Sequence, residues 1–515
     1  MRLQHNGVIV TILMLLLVSC SHEEEPQQLR LALQTEPSTL DPAFAVDYSS
    51  GLLSSLIHDN LVRFDEEGRI VPGLAGRREV SADGTVYTFN LVPARFSNGR
   101  SVKASDVVIS FTRLLAPSTV SPRWWVLGAI RGAADFHHSG RSMDGALTAP
   151  DDTTVVIQLA QPTAHFLSML SMPAAGIVCV EEVERLGEMY GRSPCGSGPW
   201  CLESWLEGDK LSLRRNPFYQ GRAPAITGIS FRIIPESMTR IAEFEVGNLD
   251  ILEVPRAELT RWRSAGVSLR QQEELRIVYI GLNNRKSPFD NRTVRRALNM
   301  AIDIESIIVH LLFGAGHRAH GVIPPSLRKE PEPEGLYAYD PHEARRLLTE
   351  AGFPEGFAME IWQRDNPESG RILESVQGYL AQVGITVKLV TREWSAFKQA
   401  INRGTPDAFY LDWFADYPDA ENFIAPLFHS ENVGGGGNRS AYTNAAVDSL
   451  IEEAARCPEE NRRWELYRRA EELVYSDAPW IFLWFPLRYE VISPRVRGYR
   501  IPAVFTGQRF LEVKL

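Results

Sequence analysis

Late in the chain, Tyr410-Leu411-Asp412-Trp413-Phe414-Ala415-Asp416-Tyr417-Pro418-Asp419 threads three carboxylates through four aromatic rings. Two chemistries suit such a mixture. A carboxylate among aromatic faces can hold a cation, the acid through charge and the rings by cation–π attraction. Alternatively, two neighbouring carboxylates can act as an acid–base pair in hydrolysis. Asp416 is the candidate for the first, with Trp413, Tyr410 and Tyr417 around it. Asp412, Asp416 and Asp419 are the candidates for the second. The plain structural reading also stands at this point: Asp416 as a solvated turn acid and Trp413 as a core aromatic.

The element that must position these groups is a strand. Phe409, Leu411 and Trp413 alternate with Tyr410, Asp412 and Phe414, the period of a strand with one well-buried face. Ala415 to Asp419 supplies turn residues and a proline that cannot continue a central ladder, so Asp416 falls just past the strand end. In open α/β sheets that is where ligands gather. The same alternation puts Asp412 on the face opposite Trp413, which argues against a pair of converging acids. There is also no Gly-x-Ser-x-Gly elbow and no His-Glu-x-x-His.

Elsewhere strands and helices intermix. Leu29 to Leu33, Gly84 to Leu91 and Thr154 to Leu159 read as strands; Ser49 to Leu56, Val102 to Phe111 and Ala164 to Leu170 read as helices. The fold class is therefore α/β or α+β rather than a bundle or sandwich. A helix from Asn291 buries Val294, Leu298, Ala301, Ile308 and Leu312, leaving Arg292, Arg295, Arg296 and Asp303 toward solvent. Asp340-Pro341-His342-Glu343 has the form of an N-cap, a first-turn proline and a capping-box acid. Trp394, Trp124 and Trp125 read as core residues, with cleft lining as the other reading.

The 515 residues are too many for one simple core, and the net charge of −10 argues against a phosphate-binding surface. No basic run, zinc-ligand cysteine pair or Walker loop is present, so neither nucleic acid nor a metal or other cofactor is expected. His317 and His320 lack an acid or thiol partner nearby, and His137 and His138 are adjacent. Val8 to Val18 is too short to span a bilayer and suits a signal-peptide core. It runs into Leu17-Val18-Ser19-Cys20, which resembles a bacterial lipobox. Residues 1–19 are therefore read as a signal peptide, Cys20 as the lipidated residue and 20–27 as a polar tether. Cys179, Cys195, Cys201 and Cys457 would lie in an oxidising compartment. Cys195 and Cys201 flank a Gly-Ser-Gly-Pro turn and could pair, Cys179 could pair with either, or all four could stay free.

Several landmarks together carry a family resemblance: Glu36-Pro37-Ser38-Thr39-Leu40-Asp41-Pro42, Phe96-Ser97-Asn98-Gly99 with Ala104-Ser105-Asp106-Val107, Gly196-Ser197-Gly198-Pro199-Trp200, Arg215-Asn216-Pro217-Phe218-Tyr219, Pro288 to Leu298 with Ala301-Ile302-Asp303, and Tyr339 to Ala344 with Ala351-Gly352. In order and spacing, over residues 30–510, the chain resembles the extracytoplasmic peptide-binding lipoproteins of bacterial ABC importers. The resemblance implies a two-lobed periplasmic-binding-protein fold with hinge crossovers. Lobe I would comprise 28–58, 193–275 and 490–515, with an inserted domain at 59–192, and lobe II would be 276–489. It further implies a monomer without enzymatic activity, tethered to a membrane by its N-terminal lipid, partnered by a permease and its ATPases.

For the site, the resemblance implies that Asp416, in Trp413-Phe414-Ala415-Asp416-Tyr417, pairs with the α-ammonium of a bound short peptide. Arg364, in Gln363-Arg364-Asp365-Asn366-Pro367, falls where dipeptide-binding members hold the ligand carboxylate, a role that a guanidinium fork suits. Asp365 beside it could instead neutralise Arg364. Relatives of this fold also bind nickel chelates and other non-peptide solutes, which is the alternative within the class. A secreted hydrolase is the alternative outside it.

Overall fold

The computed structural model describes residues 27–331 and 335–515; the leader, Cys20 and nearly all of the tether lie outside them. Two lobes are built on separate sheets. In the first, Gln28–Leu33 runs parallel to Gly228–Ile233, followed by Lys210–Arg215 and Trp200–Leu206 in antiparallel order. Leu29, Leu53, Leu56, Trp200, Leu213 and Phe231 fill its core. The helix Tyr48–Ile57 is capped by Asp47, whose carboxylate accepts from the Ser50 N–H at 2.8 Å. Attached to this lobe is a four-stranded antiparallel sheet, in the order Ala75–Val80, Val86–Leu91, Thr154–Gln158 and Leu147–Thr148.

The second lobe holds the strand of interest. Ala408–Phe414 lies between Arg276–Leu282, antiparallel, and Ala358–Arg364, parallel. Its alternation is explained by two cores. Phe409 and Leu411 pack with Tyr279 and Trp480 on one face, while Ala408 and Tyr410 meet Ile280, Ile361 and Leu483 on the other.

The lobes share one element, the 13-residue strand Trp480–Ile492. Its first part pairs with Arg276–Leu282; its last part pairs with Leu269–Glu273 and Ile251–Glu253. Pro486, which has no N–H to give, sits where the partners change, and its carbonyl accepts from the Glu274 N–H at 3.0 Å. The chain thus crosses between lobes at two adjacent places, around Glu274 and Pro486. Two such crossings make a hinge. No helix of the described residues is long and apolar enough to cross a membrane.

Three readings are corrected here, and one that was left open is narrowed. Arg295 is buried rather than solvated. Its guanidinium donates to the carbonyls of Phe289, Asp477 and Ala478 at 2.7–3.2 Å, so it caps the carboxyl end of the helix Glu460–Asp477. The apolar stripe around Arg295 also spans two helices, Arg292–Met300 and Ile304–His310, the second capped by Asp303. Trp394 is 45% exposed rather than in a core. All four described cysteines are free thiols. Gly196 to Gly198 does not join Cys195 to Cys201: its backbone is tied to other segments, the Gly196 carbonyl accepting from the Ser97 N–H and the Gly198 N–H donating to the Ile57 carbonyl. Cys195 lies instead against Cys179, whose hydrogen bond pulls its thiol down to about 7.

Because Arg295 satisfies several buried carbonyls, each costing about 1–3 kcal/mol when orphaned, Arg295→Leu should destabilise the protein by about 3 kcal/mol or more in urea unfolding. Arg296→Leu, on the exposed side of the same helix, should stay within about 0.5 kcal/mol.

Candidate functional site

The turn after Phe414 sets the position of Asp416. The Ala415 N–H extends the ladder by one bond to the Leu275 carbonyl, at 2.9 Å. The Asp416 N–H then donates to Asn422 Oδ1 at 3.0 Å, and Asp419 receives the Glu421 N–H at 3.0 Å. These bonds turn the backbone into the helix Glu421–Phe428.

What meets that carboxylate is Arg123, a residue the sequence did not single out. Its Nη1 donates to Asp416 Oδ1 at 3.2 Å and its Nη2 to the Val46 carbonyl at 3.2 Å. The Arg123 N–H bonds Ser121 Oγ at 3.1 Å, and the guanidinium lies 6.0 Å from the Trp125 ring centre. One guanidinium therefore ties together the attached sheet domain, the first lobe and the second lobe. The two side chains retain 23% and 31% exposure. Burial pushes the Asp416 carboxyl above its ordinary value, and Arg123 opposes the shift. The signal in the sequence was Ser121-Pro122-Arg123-Trp124-Trp125, a cation in a turn beside two indoles.

The other two acids are also matched to arginines. Asp412 pairs with Arg276 at 2.9 Å and Asp419 with Arg463 at 3.4 Å. Each acid has its own cation, so the three do not converge on one point, as an acid–base pair would require.

The remaining candidates separate. Tyr417 is buried; its hydroxyl donates to Glu421 and its ring stacks on His165 with centroids 5.8 Å apart. It supports the turn rather than facing the cleft. Trp413 is half-buried against the core, and its Nε1 has no hydrogen-bond partner among the described residues. Arg364 does not share a pocket with Asp416. It stands at the end of its strand, in register with Arg392 of Thr386–Arg392, its guanidinium 5.8 Å from the Trp394 ring centre. Asp365, Asn366, Thr391 and Glu393 complete this open pocket of about 690 Å³. Among the described residues no ion pair joins Arg364 to Asp365, while Asp365 and Glu393 both line its pocket.

A second cavity of about 350 Å³ lies at the hinge, where Tyr48, Glu253, Arg488, Glu490 and Phe505 meet Phe414 of the second lobe. Phe414 is 44% exposed, and the rings of Tyr48 and Phe505 lie 5.1 Å apart. Glu253 and Glu490 face each other across neighbouring strands. Burial raises both carboxyls, with Arg488 opposing the shift in each. Tyr499 donates its hydroxyl to Glu490 at 2.9 Å. Among the described residues no group of three or more His, Cys, Asp or Glu is placed to hold a metal.

The architecture is that of a two-lobed solute-binding protein with a hinged cleft, and comparison with known proteins agrees. Residues 69–435 match the bacterial extracellular solute-binding proteins, family 5 middle region. The chain is 31% identical over 489 residues to heme-binding protein A of Haemophilus influenzae, covering 90% of this chain and 88% of that protein. It is 29% identical to the dipeptide-binding protein of Escherichia coli, over 94% and 91% of the two chains. Among solved structures, the periplasmic binding protein DppA of Helicobacter pylori in complex with the peptide STSA superposes with a TM-score of 0.78 at 28% identity, covering 95% of this chain and 98% of the other. The chain belongs to the family 5 bacterial extracellular solute-binding proteins, the peptide-importer class that its landmarks resemble. Its relatives are transport binding proteins rather than enzymes.

The raised carboxyl of Asp416 can be observed without any ligand. Because folding favours its protonated form, Asp416 costs the fold stability at neutral pH, and the cost is relieved as pH falls through the raised value. In a carboxyl carbon NMR titration Asp416 should titrate above the ordinary aspartate value of 3.8. It should move higher still in Arg123→Leu, where burial remains and the countercharge is gone.

Proposed function

We propose that this protein captures short peptides between its lobes and delivers them to an ABC permease and its ATPases, from the outer face of a membrane to which Cys20 anchors it through lipid. In this reading 28–58, 193–275 and 490–515 form the first lobe, 59–192 the inserted domain and 276–489 the second lobe. They close about the crossings at Glu274 and Pro486. The observation that carries the reading is the Asp416 carboxylate, held just past a strand end where the lobes meet and partnered there, among the described residues, by a guanidinium from another domain.

The chemistry follows from desolvation. A closing cleft strips water from the ligand ammonium, which is costly unless a carboxylate replaces it. Asp416 supplies that carboxylate. The ligand's opposite charge is assigned to Arg364, which is exposed, forms no ion pair among the described residues and stands beside Arg392. Because Asp416 does not line the pocket that holds Arg364, a ligand that reaches both must span the intervening surface, and lobe closure sets the span.

A non-peptide solute is the second reading. What favours it is that Arg123 already balances Asp416, so the resting cleft has no uncompensated charge there to demand an ammonium.

Calorimetry with a dipeptide panel separates the two. Free-amine dipeptides should bind and be recovered intact, and N-acetylated forms should bind far more weakly. Asp416→Ala should lower affinity by about two to three decades, the loss of a pair worth about 3–5 kcal/mol, without lowering the melting temperature. Absence of any response to the panel would reject the peptide reading, and appearance of free amino acids would reject a pure binding role. For the anchor, Cys20→Ser should release the protein from the membrane fraction.

A further inference from the structure

We infer that Cys179 and Cys195 are a site of disulfide formation, and that their bond staples the inserted domain to the first lobe where the chain passes from one to the other. The inference rests on the extracytoplasmic placement and the domain division proposed above, and is independent of what the cleft binds.

The two residues come from opposite sides of that passage. Cys179 stands at the amino end of the helix Val180–Leu186, and the 3-10 helix Gly187–Arg192 leads on toward Cys195. The Cys179 N–H donates to the Cys195 carbonyl at 3.3 Å. Such a bond brings two α-carbons to within about 6 Å, a spacing that a disulfide spans. Both side chains belong to the same core, and their thiols are hydrogen-bonded to each other. Cys201, on the strand Trp200–Leu206, meets Ser97 rather than a thiol. Cys457 closes the helix Ala445–Arg456 in the second lobe.

One turn surrounds the paired sulfurs with donors. Ser97 Oγ lies 3.5 Å from Cys195 Sγ; Asn98 Nδ2 and Arg100 Nη2 lie 3.5 and 3.8 Å from Cys179 Sγ. Donors and a cation favour thiolate over thiol. Cys195 keeps 6% exposure against none for Cys179, and its thiol is the one lowered, so Cys195 is the nucleophile. Its thiolate attacks one sulfur of a small-molecule or protein disulfide, forming a mixed disulfide and releasing the other half as a thiol. Cys179, on losing its proton, attacks the Cys195 sulfur and expels the second half. Two protein thiols and one disulfide thus become one protein disulfide and two thiols. The two electrons pass to the oxidant, and the two cysteine protons end on the released thiols.

The staple has a mechanical use. Arg123 reaches Asp416 from the inserted domain, so its aim depends on how firmly that domain is fixed to the first lobe. Near the pair, Tyr190 donates to the Cys195 carbonyl at 3.0 Å and the Leu40 N–H to the Gly191 carbonyl at 2.9 Å. Covalent closure of the intervening loop restricts the unfolded chain and so favours these contacts.

The full chain, unfolded in urea with reductant and refolded in reduced and oxidised glutathione, tests this. After free thiols are blocked, peptide mapping should find Cys179 linked to Cys195, with Cys201 and Cys457 blocked. Reduction should then lower the melting temperature by a few degrees and quicken hydrogen exchange in Val180–Leu186. A Cys179→Ala, Cys195→Ala double variant should melt with the reduced protein and ignore reductant, and Cys201→Ala should behave as the parent. Blocking of both Cys179 and Cys195 in the refolded protein, or a link from either to Cys201, would overturn the inference. A Cys179–Cys195 link whose reduction changes neither melting nor exchange would overturn the staple. The same map on protein isolated from cells reads the compartment: a link present only after refolding in glutathione would reject the extracytoplasmic placement and leave the pairing intact.

Discussion

Both lobes depend on one strand. Trp480–Ile492 contributes its first half to the second lobe's sheet and its last half to the ladder beside the first lobe. Most sheets keep a strand wholly inside one layer; here the same backbone is a structural member of two rigid bodies. Its interior demands explain its composition, in which Trp480, Ile481, Leu483, Trp484 and Phe485 are buried from both faces. The change of partner falls at Pro486, beside the return crossing at Glu274. A rotation between lobes can therefore be absorbed over a few residues without breaking either core, which is the mechanical condition for a cleft that opens and shuts.

Electrostatics then decides which acids can act. Asp412, Asp416 and Asp419 occur within eight residues, yet they have different fates. The partner of Asp412 is Arg276, two positions along on the neighbouring strand, so that pair moves as one body. Asp419 also receives the Glu421 N–H in its own turn, and its cation, Arg463, belongs to the second lobe's helix Glu460–Asp477. Only the partner of Asp416 arrives from another domain. Its pairing is therefore the one among the three that a movement of domains can alter.

The landmarks and their order were enough to give the class of fold, because strand alternation and helix caps are local properties: Asp340 accepts from the N–H groups of His342 and Glu343 as its cap motif implies. What was not legible arose from contacts between distant segments. Arg295 fits an exposed helix position by spacing, and its burial follows only from the approach of Asp477 and Ala478. Tyr417 shares a motif with Asp416, but its hydroxyl is claimed by Glu421 one helical turn on. Arg123 lies 293 residues from Asp416, a separation across which no periodicity carries information. Arg364 and Asp416 were each conspicuous in sequence, while the absence of Asp416 from the pocket around Arg364 follows from the packing of whole strands.

The strength of the Arg123–Asp416 contact bears on whether it can be both resident and exchangeable. A pair that keeps partial exposure on each side is worth no more than about 1 kcal/mol, because water competes for both charges. That is enough to orient the two side chains and too little to hold a cleft shut. When the lobes close on a ligand the competing water is lost, and the same carboxylate becomes worth several kcal/mol to whichever cation remains beside it. The contact is therefore weakest in the state that must admit a ligand and strongest in the state that must retain one. Burial already weighs on Asp416 more heavily than Arg123 relieves it, since the carboxyl stays raised in the presence of its partner. The carboxylate is thus left short of positive charge even beside Arg123.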